Sequence, residues 1–111
     1  MSAESRSRPS WQRDECPPWC IVEHRETDPP DDRVHDSAGA YVPAVVRRSG
    51  AQVGDSTELL VILSRRCGEH DDWVFLGEPE RLGQHVTLSR ESAARVTSTL
   101  AALLLGEQSP T

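Results

Sequence analysis

Residues 16–35 read CPPWCIVEHRETDPPDDRVH and carry the pattern that decides how this chain folds. The potential metal ligands in this stretch are spaced C-x3-C-x3-H-x10-H: Cys16, Cys20, His24 and His35. Two thiolates and two imidazoles form the ligand set of a closed, tetrahedral zinc site. The stretch is otherwise rich in proline and aspartate and holds little apolar material to fold around. We therefore interpret it as a module held together by a structural zinc ion.

The spacing also predicts how the ligands converge. The first three recur every four residues, which would place them near one face of a helix, and Pro17 suits the first helical position. His35 would return to them through a bend at Pro29 and Pro30. Common zinc fingers use H-x3–5-H, so the long second spacing is unusual. Zinc binding contributes about 10–16 kcal/mol of apparent free energy, enough to decide whether such a short module folds.

Other interpretations of these residues stay open. Cys16 and Cys20 could form a disulfide or a redox pair, although redox loops place two residues between their cysteines and here there are three. The four side chains could also lie in a disordered segment without any role. A second, shorter pair, Cys67 and His70, could replace one ligand or build a separate site with a neighbouring aspartate, but such residues more often decorate a polar loop.

Composition excludes several classes of protein. With 111 residues, of which 36% are hydrophobic and 5% aromatic, the chain predicts one domain with a small aliphatic core. No apolar run approaches the roughly 18 residues of a membrane span, and the first residues lack the apolar region of a signal peptide. We therefore expect a cytoplasmic protein in a reducing compartment, where three cysteines favour metal binding over disulfides. The net charge of −6 and the absence of a basic stripe disfavour nucleic-acid binding.

The chain divides into a disordered tail (1–14), a single domain (15–106) and a second short tail (107–111). The domain consists of the Cys/His module (15–36), a β region (41–88) and a helix (89–106). Alternating or continuous apolar residues between turn signals predict four strands, at 41–48, 58–64, 72–76 and 85–88. These features predict an α+β fold in which a small antiparallel sheet of three to four strands carries one C-terminal helix and a zinc-stapled N-terminal segment.

The helix has clear end signals. The Ser89 hydroxyl can cap the amide of Ser92, and Gly106 is the natural residue to end the helix. An apolar stripe recurs at three- and four-residue steps: Ala93, Val96, Leu100, Leu103 and Leu104. We expect this stripe to pack on one face of the sheet.

The strand at 58–64 reads ELLVILS and is apolar on both sides, so the second face of the sheet also needs a cover. We consider two hypotheses for this cover: the Cys/His module folds back onto this face, or a symmetric partner subunit packs there. A monomer with this face bare to solvent would exclude both.

The strings CPPWC-x3-H and DDRVH-x-S, a short β region and a final helix opened by LS resemble a family of small actinobacterial proteins with an uncharacterised domain. Its members open on a CPxWC…H…H motif, and the resemblance covers about residues 16–105. The lysine-free, arginine-rich composition also resembles that of proteins encoded by high-GC actinobacterial genomes. The motif falls on Cys16, Cys20, His24 and His35 and excludes Cys67 and His70. The resemblance implies the zinc module and the architecture but no activity.

The sequence does not predict an enzyme. It lacks three common motifs of catalytic sites: a nucleophile elbow, a phosphate-binding glycine loop and HExxH. We expect an accessory or regulatory protein that acts through a protein partner or through self-association. The alternative is a thiol-based sensor that releases zinc when Cys16 and Cys20 are oxidised. Less favoured are a nucleic-acid-binding module and a small zinc enzyme in which His35 is not a ligand and Glu23 or a nearby aspartate acts as a base.

Overall fold

The computed structural model describes residues 8–81 and 83–106. In this part of the chain a short 3-10 helix, Pro30–Asp32, precedes five strands and one helix. These elements are β1 (Val34–Asp36), β2 (Ala40–Val46), β3 (Asp55–Arg66), β4 (Trp73–Gly77), β5 (His85–Ser89) and α1 (Arg90–Leu104). An antiparallel sheet followed by one helix confirms the predicted α+β class. The predicted tail at 107–111 and the first seven residues of the predicted tail at 1–14 lie outside the described residues.

The sheet is built around β3, which pairs along both of its edges and is the longest strand. β4 pairs with one edge and is followed by β5. On the other edge, β2 pairs with the first part of β3 and β1 pairs with its last three residues. The sheet is therefore four strands wide, because β1 and β2 follow one another along the same edge of β3. The sequence does not predict β1, because its residues, VHD, are too few and too polar to signal a strand.

A β-bulge at residues 37–39 lets β1 and β2 share this edge, because these three residues stand opposite only Ile62 and Leu63. The backbone N–H of Ser37 donates to the carbonyl oxygen of Leu63 at 2.8 Å. In return, the Ser37 hydroxyl accepts the Leu63 N–H at 3.0 Å, replacing the missing backbone acceptor. The bulge thus keeps β1 aligned with β3 and places His35 opposite Arg65.

Helix α1 begins and ends at the residues that the sequence predicts. The hydroxyl of the N-cap residue Ser89 accepts the amide of Ser92 at 3.1 Å. At the other end Gly106 takes a φ of +69°, a left-handed conformation that favours glycine. Both predictions from the sequence are confirmed.

The predicted packing of α1 on the sheet is wrong. The helix contacts mainly β4 and β5, and most of its apolar stripe stays exposed to solvent. The reason is the connection, because Ser89 is both the last residue of β5 and the N-cap of the helix. Connections that return a helix to its own sheet use about 2–6 residues. No helix among the described residues is long and apolar enough to cross a membrane.

The Cys/His module does not cover the middle of the sheet, so the first hypothesis for the second face is also wrong. The module joins the sheet at one end, through β1, and the Arg65 guanidinium lies over the Trp19 ring at 5.7 Å. Val42 and Val86 further along the same face remain exposed. Among the described residues no hydrophobic side chain is fully buried, so the predicted aliphatic core is not formed within one copy of the chain.

Candidate metal centre

The four predicted ligands converge on one point. One ligand atom from each of Cys16, Cys20, His24 and His35 lies within 4.8 Å of all the others. The Cys20 Sγ and His24 Nε2 atoms are 3.7 Å apart. In a tetrahedral zinc site, metal–ligand distances of about 2.0–2.3 Å imply ligand–ligand separations of roughly 3.3–3.8 Å. The cluster is therefore close to the size at which the four side chains could hold one metal ion.

The first three ligands reach this point without the helix that their spacing suggests. Residues 16–24 contain no helix; instead the Cys20 N–H donates to the Pro17 carbonyl oxygen at 3.0 Å and closes a turn. The next amide, of Ile21, donates to the carbonyl oxygen of Asp36 at 3.0 Å and ties the turn to the end of β1. Two consecutive prolines in CPPWC disfavour a continuous helix, because the second cannot donate an amide and restricts the residue before it.

His35 reaches the cluster from strand β1. The 3-10 helix Pro30–Asp32, with proline in its first turn, makes the bend that the Pro29–Pro30 pair predicts. Strand pairing then holds His35 opposite Arg65, and the imidazole is 0% exposed. A fully buried histidine at the centre of a polar module requires partners for both of its ring nitrogens.

Asp14 provides one of these partners. Its Oδ2 atom lies 2.9 Å from the Nε2 atom of His35 and also accepts the Gly68 N–H at 3.1 Å. Burial raises the pKa of Asp14, but the hydrogen bonds from His35 and Gly68 outweigh burial, so the pKa lies below its ordinary value. A carboxylate can only accept, so the proton of His35 resides on Nε2 and the lone pair on Nδ1. Metal-ligating histidines commonly have such a carboxylate on the second nitrogen.

In the described part of the chain, the buried side-chain polar atoms that lack hydrogen-bond partners lie in this cluster or beside it. Among the described residues, the buried side-chain atoms without a partner are Asp14 Oδ1, His24 Nδ1 and His35 Nδ1. Leaving a buried polar atom unsatisfied costs about 1–3 kcal/mol, so native structures rarely tolerate several together. Because Asp14 occupies the Nε2 atom of His35, the lone pair on Nδ1 is available to bind a cation. Burial also lowers the pKa of His24, which favours the neutral imidazole that a metal requires.

The sequence does not predict the side chains that surround the ligands. Residues 8–14, assigned to a disordered tail, instead lie against the module, where Gln12 is buried and its Nε2 atom donates to the Cys16 Sγ atom at 3.6 Å. The edge of the Trp11 ring packs against His24, with ring centroids 5.8 Å apart. Ser10 donates to the Glu26 carboxylate through both its amide and its hydroxyl. A lone tryptophan in a polar stretch is the one sequence signal for this packing.

Cys67 and His70, the second pair predicted from the sequence, do not lie in one site in the structure. Cys67 lies near the cluster, with a ligand atom within 4.8 Å of those of Asp14 and His35. Burial raises the pKa of the Cys67 thiol to about 11, with further contributions from the nearby Asp14, Cys16 and Cys20. His70 is exposed and belongs to no metal-sized cluster among the described residues. The neighbouring Asp72 carboxylate does not take up a metal-ligand position, because it pairs with Arg65 and Arg90.

The comparison with known families covers almost the whole chain. A family model described as a domain of unknown function (DUF6907) matches residues 4–105, so the chain belongs to this family. The match includes the ligand cluster, the sheet and α1. The predicted resemblance to an uncharacterised domain is thus confirmed, whereas the actinobacterial origin stays a prediction. No curated protein and no solved structure matches the chain.

Proposed function

We propose that this protein is a small cytoplasmic accessory or regulatory protein, that a structural zinc ion staples its N-terminal module, and that it acts through protein–protein interaction. Two observations carry the proposal: one ligand atom from each of two thiols and two imidazoles lies within 4.8 Å of the others, and the buried Nδ1 atom of His35 has no hydrogen-bond partner. A zinc ion at this point would satisfy His35 and pair with both thiolates of Cys16 and Cys20.

The donor set argues for zinc over other cations. Two thiolates and two imidazoles suit zinc, whereas calcium and magnesium take oxygen ligands. Four protein ligands complete a tetrahedron and leave no open position for a substrate, which favours a structural role over a catalytic one. The module has no buried hydrophobic residue among those described, so a binding free energy of about 10–16 kcal/mol would dominate its folding.

The exposed apolar surface supports the interaction role. Twelve large hydrophobic side chains among the described residues are exposed, and they lie on both faces of the sheet, along α1 and in loops. Scattered exposed hydrophobic residues are normal, but contiguous patches larger than a few hundred Å² mark interaction sites. Here the helix stripe is exposed and no hydrophobic residue among those described is buried. Both observations support a protein partner that covers these surfaces.

Metal content of the purified protein tests the zinc site. We expect one zinc per chain by elemental analysis, and its loss in Cys20→Ser and His35→Ala. Cys67→Ser and His70→Ala are matched controls outside the ligand set and should keep the metal. Zinc retained in His35→Ala would instead support a three-ligand, catalytic site, and a metal-free wild-type protein would contradict the proposal.

A redox sensor is the second candidate, favoured by the exposure of Cys16. In this reaction the zinc-bound Cys16 and Cys20 thiolates would transfer two electrons to peroxide and form an S–S bond. The peroxide would take two protons from solvent and become two waters, and zinc would be released. Burial raises the pKa of Cys16, which opposes reactivity of the free thiol. Zinc release under mild peroxide, followed with a chromogenic zinc indicator, tests this function; zinc retention in excess peroxide would reject it.

A further inference from the structure

Helix α1 presents an apolar stripe that its own chain does not cover. Val96, Leu100, Leu103 and Leu104 are 46%, 50%, 60% and 79% exposed, although they recur at the spacing of a buried helix face. No charged residue occurs between residues 96 and 106. This length of helix therefore has no charge to desolvate when another surface covers it.

One face of the sheet is complementary to this stripe. Residues opposite each other in an antiparallel pair point to the same side, so the strand register defines one aliphatic face. This aliphatic face consists of Val42, Leu59, Val61, Leu63, Val74, Leu76, Val86 and Leu88. Val42 and Val86, at its two sides, remain 45% and 43% exposed. The opposite face carries Leu60 and Ile62 but mixes them with aromatic and polar residues, so it is less suited to a helix of leucines and valines.

The stripe and the aliphatic face cannot meet within one copy of the chain. α1 starts directly at the end of β5, without the loop that a return onto the sheet requires. The helix start is also anchored, because the Arg90 N–H donates to the Asp72 carbonyl oxygen at 3.0 Å and its guanidinium donates to the Asp72 carboxylate at 2.8 Å. The start of α1 is thus fixed, and no loop is available to turn its apolar stripe onto the aliphatic face.

We propose that a second copy of this chain supplies the missing cover, with α1 of each copy packed on the aliphatic face of the other. Both halves of the contact occur on every chain, which is what a two-fold symmetric interface requires. A 15-residue helix is about 22 Å long and about 10 Å wide. Counted on both surfaces of both junctions, its footprint is roughly 900 Å², which falls in the range of weak, reversible interfaces below ~1,200 Å².

The proposed function requires a protein partner, and this proposal identifies that partner as a second copy of the chain. It rests on the proposed function only in this respect. Sedimentation velocity of the full-length protein, between about 1 and 100 µM, should show a dimer. Leu100→Glu on the stripe and Val86→Glu on the aliphatic face should each raise the dimer dissociation constant at least about 100-fold, because symmetry repeats the buried carboxylate at both junctions. Ser98→Glu and Thr87→Glu add the same charge on the opposite sides of the helix and sheet and should leave the dimer intact.

Mixing the two disrupted variants tests the reciprocal arrangement. A heterodimer of Leu100→Glu with Val86→Glu keeps one junction free of both substitutions, so the mixture should associate more tightly than either variant alone. A wild-type monomer at the highest concentration, or a dimer that survives Val86→Glu, would overturn the proposal. Zinc content is measured on the same samples. A monomeric protein that still holds one zinc per chain would contradict the dimer alone, whereas a protein without zinc would contradict the proposed metal site.

Discussion

At the scale of single residues, the metal cluster depends on which nitrogen of His35 carries the proton. Asp14 decides this, because its carboxylate accepts from Nε2 and leaves the Nδ1 lone pair free. The same carboxylate accepts the Gly68 N–H and so connects the N-terminal segment to the loop after β3. One side chain thus sets the tautomer of a candidate ligand and holds two distant parts of the chain together.

Replacing Asp14 should therefore weaken metal binding without removing a ligand. We expect Asp14→Ala to lower the zinc affinity about 10- to 100-fold, which is the usual effect of losing a carboxylate partner of a metal-bound histidine. Competition with a chelator of known affinity measures the change. Asp31→Asn, which alters an exposed carboxylate in the same module, is the control. Equal affinities of the two variants would show that Asp14 does not orient His35.

The sequence predicts the four ligands but not their surroundings, and the difference is physical. A repeated spacing of cysteine and histidine is rare by chance, so it stands out from the chain. Asp14 is one of nine acidic residues among the first 36, and nothing local distinguishes it. Its role exists only once β1 brings His35 to it.

At the scale of elements, the bulge at residues 37–39 connects the module to the sheet. We expect Ser37→Ala to lower the free energy of unfolding by about 1–3 kcal/mol, because it leaves the Leu63 N–H without its acceptor. Denaturant unfolding of the zinc-loaded protein measures the change. Ser56→Ala, at an exposed position near the start of β3, should have little effect. If the two variants were equally stable, the hydroxyl would not hold the bulge.

A buried ion pair holds the opposite end of the sheet and should make its stability depend on pH. Arg48, after β2, donates two hydrogen bonds of 2.9 Å to the Glu78 carboxylate after β4, and Thr57 of β3 donates a third at 3.0 Å. The hydrogen bonds from Arg48, and to a lesser extent the one from Thr57, lower the pKa of Glu78 to about 2 against the opposing effect of burial.

Because the pKa is lower in the folded state, Glu78 stabilises the protein fully above about pH 4.5, and this contribution is lost as the pH falls toward 2. Glu78→Gln should be less stable at pH 7, and its difference from the wild type should shrink across this window. Thermal unfolding at a series of pH values tests this expectation. A difference that stays constant between pH 7 and pH 3 would contradict it.

The elements themselves were largely predictable, whereas their packing was not. The apolar runs and turn residues predict four of the five strands, and the capping residues predict both ends of α1. The packing of the helix depends on the length of the β5–α1 connection. Because Ser89 serves both elements, no loop remains that could turn the helix back onto the sheet.

At the scale of the whole molecule, the module and the sheet are two parts stabilised by different means. The module relies on its polar cluster, whereas the sheet relies on apolar faces that are open in one copy of the chain. We therefore expect chelation of the metal to unfold the module selectively. Hydrogen exchange should show lost amide protection in residues 8–36 and retained protection in β4 and β5. Uniform loss across the chain, or no loss in the module, would contradict this division.

The central claim, that Cys16, Cys20, His24 and His35 form a closed zinc site, is tested most directly by X-ray absorption at the zinc edge. We predict two sulfur ligands at about 2.3 Å and two nitrogen ligands at about 2.0–2.1 Å, with no oxygen. A shell with three sulfurs would mean that Cys67 replaces a histidine. A shell with one nitrogen and one oxygen would mean an open site, and either result would contradict the claim.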